Sequence, residues 1–179
     1  MQNANCMIDY KKILSGGDLR STGQSDILAQ TIFDQESFDR LFTLLFDDNR
    51  IIVMRAVDAI EKITLHHPEF LTTHKKEIIH LSESAFNKEL VWHLALLIPR
   101  LRLTDKDFHK EYRIIKSWAT NSNNSRIVRV NAVQALFEMI QQNNNLQKDF
   151  SQVLAAIQRE NIPSINARIK KIRARLATG

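Results

Sequence analysis

Three groups of residues have types and spacings that could do chemistry. The first is the glycine-rich stretch SGGDLRSTGQS, residues 15–25. Gly16 and Gly17 would expose backbone N–H groups, and Asp18 and Arg20 add charge. A helix starting near Asp26 would aim its N-terminus at the same place, and together these describe an anion or ligand site. The stretch has no G-K-[ST], no G-x-G-x-x-G and no preceding strand, so it matches no phosphate-loop motif. The plainer reading, which the residues favour, is a loop closing the first end of an array. Asp18 and Arg20 would then hydrogen-bond backbone groups or neighbouring turns.

The second group is His66, His67, His74 and His80. They form no H-E-x-x-H, their spacings do not place two ligands on one helical face, and Cys6 is the only cysteine. No metal site is expected. The third group is basic: Arg168, Lys170, Lys171, Arg173 and Arg175, within a segment that holds no acid. Lys170, Lys171, Arg173 and Arg175 could grip phosphates, and Arg126 and Arg129 could join them. No aromatic residues alternate with these cations, as stacking on single strands would require. Cations also suit a helix C-terminus and the polar outer face of a last repeat. There is no G-x-S-x-G nucleophile motif and no recognisable pocket of carboxylates, so no catalytic residue and no cofactor is assigned.

The elements that must position these residues follow from a repeat. Ile52, Leu90, Val128 and Ile165 recur at about 38 residues, as do Ala56, Leu94, Ala132 and Ile169. Ala59, Leu97, Ala135 and Ile172 form a third column, and Ile63, Leu101, Met139 and Leu176 a fourth. The steps of four, three and four put all of them on one face of a helix. Units of this kind cannot bury their apolar faces alone, so stacking must supply the core.

Within this apolar pattern one column is polar: Arg55, His93, Asn131 and Arg168. It could line a binding surface. The alternative, favoured here, is a solvated edge or a ladder of hydrogen bonds to acids such as Asp47, Asp48 or Asp58. Trp92 beside His93 is either an exposed hot spot or a core residue.

Punctuation gives the helix boundaries. Asp34 or Ser37 can cap the helix carrying Phe38, Leu41 and Phe42. Pro68 suits the first turn of a helix. A helix from Asn87 to about Leu103 would contain Pro99 and kink near residues 95–99. Thr104 to Asp107 opens another helix as a capping box. NSNNS and NNN are turns. Pro163 starts the last helix.

These segments resemble HEAT repeats. LLFDDNRIIVMRAVDAIEKI (44–63) shows leucines closing a second helix, an acidic turn, then the start of the next helix, and NNSRIVRVNAVQAL (123–136) repeats it. A proline within a first helix, as at Pro99, is also a HEAT feature. The resemblance covers residues 35–176. SGGDLRSTGQ, VWHLALLIPRL and the basic end are further similar to a group of small HEAT-repeat proteins. The resemblance implies an all-α, right-handed α-solenoid (an α-α superhelix, armadillo-like) of about four to five helix pairs, used for binding or scaffolding. It implies no activity.

Length and composition fit one domain, with an irregular cap at 1–24, stacked pairs at 25–162 and a basic helix at 163–179. The net charge of +5 resides in that last helix, since the rest holds equal numbers of acids and bases. No apolar run is long enough for a bilayer. No secretory signal is evident and no internal disulfide can form, so a reducing cytoplasm is expected. The expected protein is a monomeric, non-enzymatic module that binds another protein. Nucleic acid, gripped by the basic helix, is the alternative partner, and no membrane is expected.

Overall fold

A computed structural model describes residues 8–16 and 23–178. Among them every regular element is helical. The residues fall into two compact units, one ending at Phe70 and the other starting at Leu71.

The first unit is built on α4 (Arg50–Ile63). Its stripe residues Ile52, Ala56, Ala59 and Ile63 are buried, and so are Val53, Val57 and Ile60 on its other flank. A helix buried on nearly every side is a central one. Around it lie α1 (Tyr10–Leu14), α2 (Ser25–Thr31) and α3 (Gln35–Phe42). Asp34 caps α3, its carboxylate accepting from the Ser37 N–H at 2.8 Å. The last turn of α3 tightens into a 3-10 segment, Thr43–Phe46. Asn49 caps α4 by accepting from the Ile51 N–H. The start of α2 is pinned to α4 by charge: Lys62 reaches both Asp26 and Asp58, and Ser25 donates to Asp58.

The second unit is built on α8 (Arg126–Gln142), whose Val128, Ala132, Ala135 and Met139 are buried. Packed on it are α6 (Lys88–Leu97), α7 (Asp105–Thr120), α9 (Gln147–Gln158) and α10 (Pro163–Thr178). α5 (Lys75–Ser84) joins them through α6 and α7. Thr104 caps α7: its hydroxyl accepts from the Asp107 N–H and donates to the Asp107 carboxylate.

Two expectations about proline are corrected. α6 does not kink and continue to Leu103. It ends at Leu97, passes into the 3-10 turn Ile98–Arg100, and turns extended at Leu101. Proline lacks the N–H that would bond back to Ala95, so the helix stops rather than bends. Leu101 still drops into the core, as the repeat demands. Pro68 opens only a 3-10 turn, Pro68–Leu71, and α5 begins separately at Lys75.

Candidate functional site

The polar column separates by burial. Arg55 is 2% exposed and His93 1% exposed, so neither can form a binding surface. Both stand three residues after a stripe residue, Ile52 and Leu90, and that position turns into the helix contact.

Arg55 Nη1 reaches the chain just after α1. It donates to the carbonyls of Leu14 at 2.7 Å, Ser15 at 3.2 Å and Gly16 at 2.5 Å. The Leu14 carbonyl is one that the end of a helix leaves without an internal donor, and Ser15 and Gly16 follow directly after it. The far side of the loop closes on the same guanidinium. Gly23 has φ +60°, and a side chain there would place Cβ 2.9 Å from Arg55 Nε. Gly16 has φ +78°, again the left-handed region that favours glycine. The two described glycines of the loop thus hold the backbone around a buried cation. Gly17, Asp18 and Arg20 lie outside the described residues.

Arg129 plays a similar part in the second unit. At 2% exposed it is closed to a phosphate, contrary to the expectation that it could join the basic patch. Its Nε donates to the Ala119 carbonyl at 2.9 Å, at the end of α7. Its two terminal nitrogens form a bidentate pair with Glu160 at 2.7 and 2.6 Å, just past α9. The Arg129 guanidinium holds the Glu160 carboxyl below the ordinary carboxylate range.

The rest of the column is half-buried. Arg168 of α10 donates to Gln134 of α8 at 2.7 Å, an amide and not one of the expected acids. Asn131 and Trp92 are half-buried too, with the Trp92 ring against that of His93.

An open groove of about 510 Å³ runs between α5 and α7, lined by Ser82, Glu83, Lys110, Arg113, Ile114, Ser117 and Trp118. Lys110 bridges it to Glu83. Arg113 is exposed and has no ion-pair partner among the described residues. Ile114 and Trp118, one helical turn apart, offer half-exposed apolar surface beside it. Below lies Glu111, fully buried on the same helix.

A family model described as a HEAT repeat domain matches residues 16–176. The chain belongs to this HEAT repeat family. Comparison with curated proteins and with solved structures gives no match. As a HEAT repeat protein it has the all-α, α-solenoid fold class, and the match runs through the glycine loop as well as the regular helices. Arg55 and His93 belong to the packing of these HEAT repeats, whereas the groove between α5 and α7 is open surface.

On α10 the stripe Ile165, Ile169 and Ile172 is buried, which turns Lys170, Lys171, Arg173 and Arg175 outward. Among the described residues no three His, Cys, Asp or Glu side chains converge to hold a metal ion, and no helix is long and apolar enough to cross a membrane. Sequence pattern alone does not mark Arg113, Trp118 or Glu111 as site residues, nor Arg129 as a buried one. Glu111 nevertheless carries a visible signal: it occupies the i+3 place in the apolar series Phe108, Tyr112, Ile115.

Proposed function

We propose that this HEAT repeat protein is a non-enzymatic binding module that docks another protein in the α5–α7 groove. The observation that carries the reading is the pairing of half-exposed Trp118 and Ile114 with exposed Arg113, which has no ion-pair partner among the described residues, at the lip of that groove. Tryptophan and arginine in a partly sheltered site are the residue types that dominate binding energy at protein interfaces. α7 is a rigid support for them, because its opposite face, with Phe108, Tyr112, Ile115 and Ala119, is buried. Such a module acts by presenting a fixed surface assembled from successive helices.

The test is affinity capture on immobilised protein, comparing wild type with W118A and R113E, followed by titration of whatever is retained in stoichiometric amount. A protein partner should bind each variant about 30-fold more weakly or worse, as hot-spot truncations do. Equal retention by all three would exclude this groove.

The outward row on α10 supports a second reading, nucleic-acid binding. Duplex or single-stranded probes would then bind at low salt and dissociate as salt rises, with a log–log slope of about −0.9 for each phosphate neutralised on a duplex and about −0.7 on a single strand. K170E/K171E should reduce that slope by about two. An unchanged slope and affinity would remove the reading.

A further inference from the structure

Ser82 has one hydroxyl proton and two acceptors within reach. The Ile79 carbonyl lies at 2.7 Å and Glu111 Oε1 at 3.1 Å. Glu111 has no exposed surface, and its Oε2 finds no hydrogen-bond partner among the described residues. Were Glu111 ionised, a buried charge would be left with at most one donor, and that donor would have to abandon the shorter bond to Ile79. A charge so placed is expensive. Were Glu111 protonated, each proton has a place: the carboxyl O–H donates to Ser82 Oγ, and Ser82 donates to Ile79. Only a neutral carbonyl oxygen is then left over.

We infer that Glu111 is a neutral carboxylic acid in the folded protein, that its proton ties α7 to α5, and that losing this proton loosens the groove between them. The proton and the joint stand on their own geometry. Only the consequence for a bound partner rests on the groove being the docking site.

The surroundings agree. Burial drives the Glu111 carboxyl up to about 7, against the Ser82 hydrogen bond and the Lys110 charge, with Glu83 and Asp107 adding to the rise. Lys110, the nearest cation, is itself engaged by Glu83. From α9, Asp149 faces α7 but is taken by Tyr112 and Lys116. From α8, Arg129 is engaged at Ala119 and Glu160. Of the histidines on α5 and α7, His80 is exposed and His109 turns to the backbone and carboxylate of Asp105; from α6, which also packs on α5, His93 is buried with its ring against Trp92, and Glu89 pairs with Lys88.

The sign follows from the raised value. A carboxyl whose folded pKa exceeds its unfolded one gives stability that is complete below the unfolded value, about 4.3, and gone once the pH passes the folded value. Amides of α5 should therefore lose hydrogen-exchange protection as pH rises from about 4.5 to 7, by up to tenfold per pH unit after correction for intrinsic exchange, and level off above. E111Q, which keeps shape and a donor but cannot ionise, should remove that slope while leaving the histidines in place. Infrared difference spectra of wild type minus E111Q at pH 6 should show a protonated carboxyl stretch. Identical pH slopes in the two proteins, or no such band, would overturn the inference. If E111Q does not fold, the wild-type spectrum alone decides: a protonated carboxyl band at pH 6 that disappears through pH 7 upholds the inference, and its absence sinks it. Both measurements are made without a partner, so a failed docking experiment leaves their outcome untouched.

Discussion

R55M should lower the stability of the first unit by about 3 kcal/mol. Methionine keeps the apolar stem and removes the donors, so the carbonyls of Leu14, Ser15 and Gly16 lose their partner. A buried acceptor left without a donor costs roughly 1–3 kcal/mol; here that acceptor is the Leu14 carbonyl, while Ser15 and Gly16 are exposed and can turn to water. The midpoint of thermal unfolding should fall by about 6–12 °C, at 2–4 °C per kcal/mol for a chain of this size. Amides of α1 should lose protection first. G23A approaches the same guanidinium from the other side and also meets the cost of a side chain at φ +60°. The two changes act on one cage, so R55M/G23A should fall short of additivity by at least about 0.5 kcal/mol. Additive effects, or an R55M midpoint within about 2 °C of wild type, would show that no such cage holds the loop.

R129M should destabilise the second unit by about 2–3 kcal/mol at neutral pH. It removes the donor to Ala119 and both bonds to Glu160. Charged hydrogen bonds contribute roughly 1.5–3 kcal/mol where buried, and less here because Glu160 is partly open to water. The pH dependence checks the mechanism. The Glu160 carboxyl is held low by Arg129, so the pair's contribution is complete above the unfolded carboxylate range and fades as pH drops through the folded value. Denaturant midpoints of wild type and R129M should therefore be well apart at pH 7 and converge toward pH 3. A gap that stays constant would mean that Glu160 takes no part.

Most of the architecture was legible because a helix advertises its buried face through spacing. Columns such as Ala56, Leu94, Ala132 and Ile169 are all buried, in both units. Capping was legible at Asp34 and Thr104 for the same reason: the acceptor and the N–H it serves lie three residues apart. Proline was harder. Whether Pro99 bends a helix or ends it depends on what the next residues can bury, and Leu101 finds its place in the core only from an extended backbone.

The site was less legible than the fold. Arg55 and Arg129 looked like surface cations because charge usually means solvent. The partners of Arg55 are backbone carbonyls far upstream, and a carbonyl leaves no mark in the sequence. Glu111 is a different case. Its place in the Phe108, Tyr112, Ile115 series was open to inspection, and only the assumption that carboxylates face water hid it. Trp118 was visible as a helix residue, but its exposure depends on how far α5 stands from α7, which spacing along α7 does not encode.

Arg55 also imposes an order of assembly. The bonds that hold the end of α1 span 41, 40 and 39 residues, whereas Arg129 meets Ala119 across only 10. Closing a long span costs more chain entropy than closing a short one, and the cost is met before the contact exists to reward it. The end of α7 can therefore be fixed while α8 is still forming. α1 meets Arg40 of α3 through Tyr10 and Asp47 through Lys11, but its last carbonyls get their donor only once α4 has formed and offered its arginine. During synthesis α1 leaves the ribosome before α4, yet its end should be fixed only after α4 has formed.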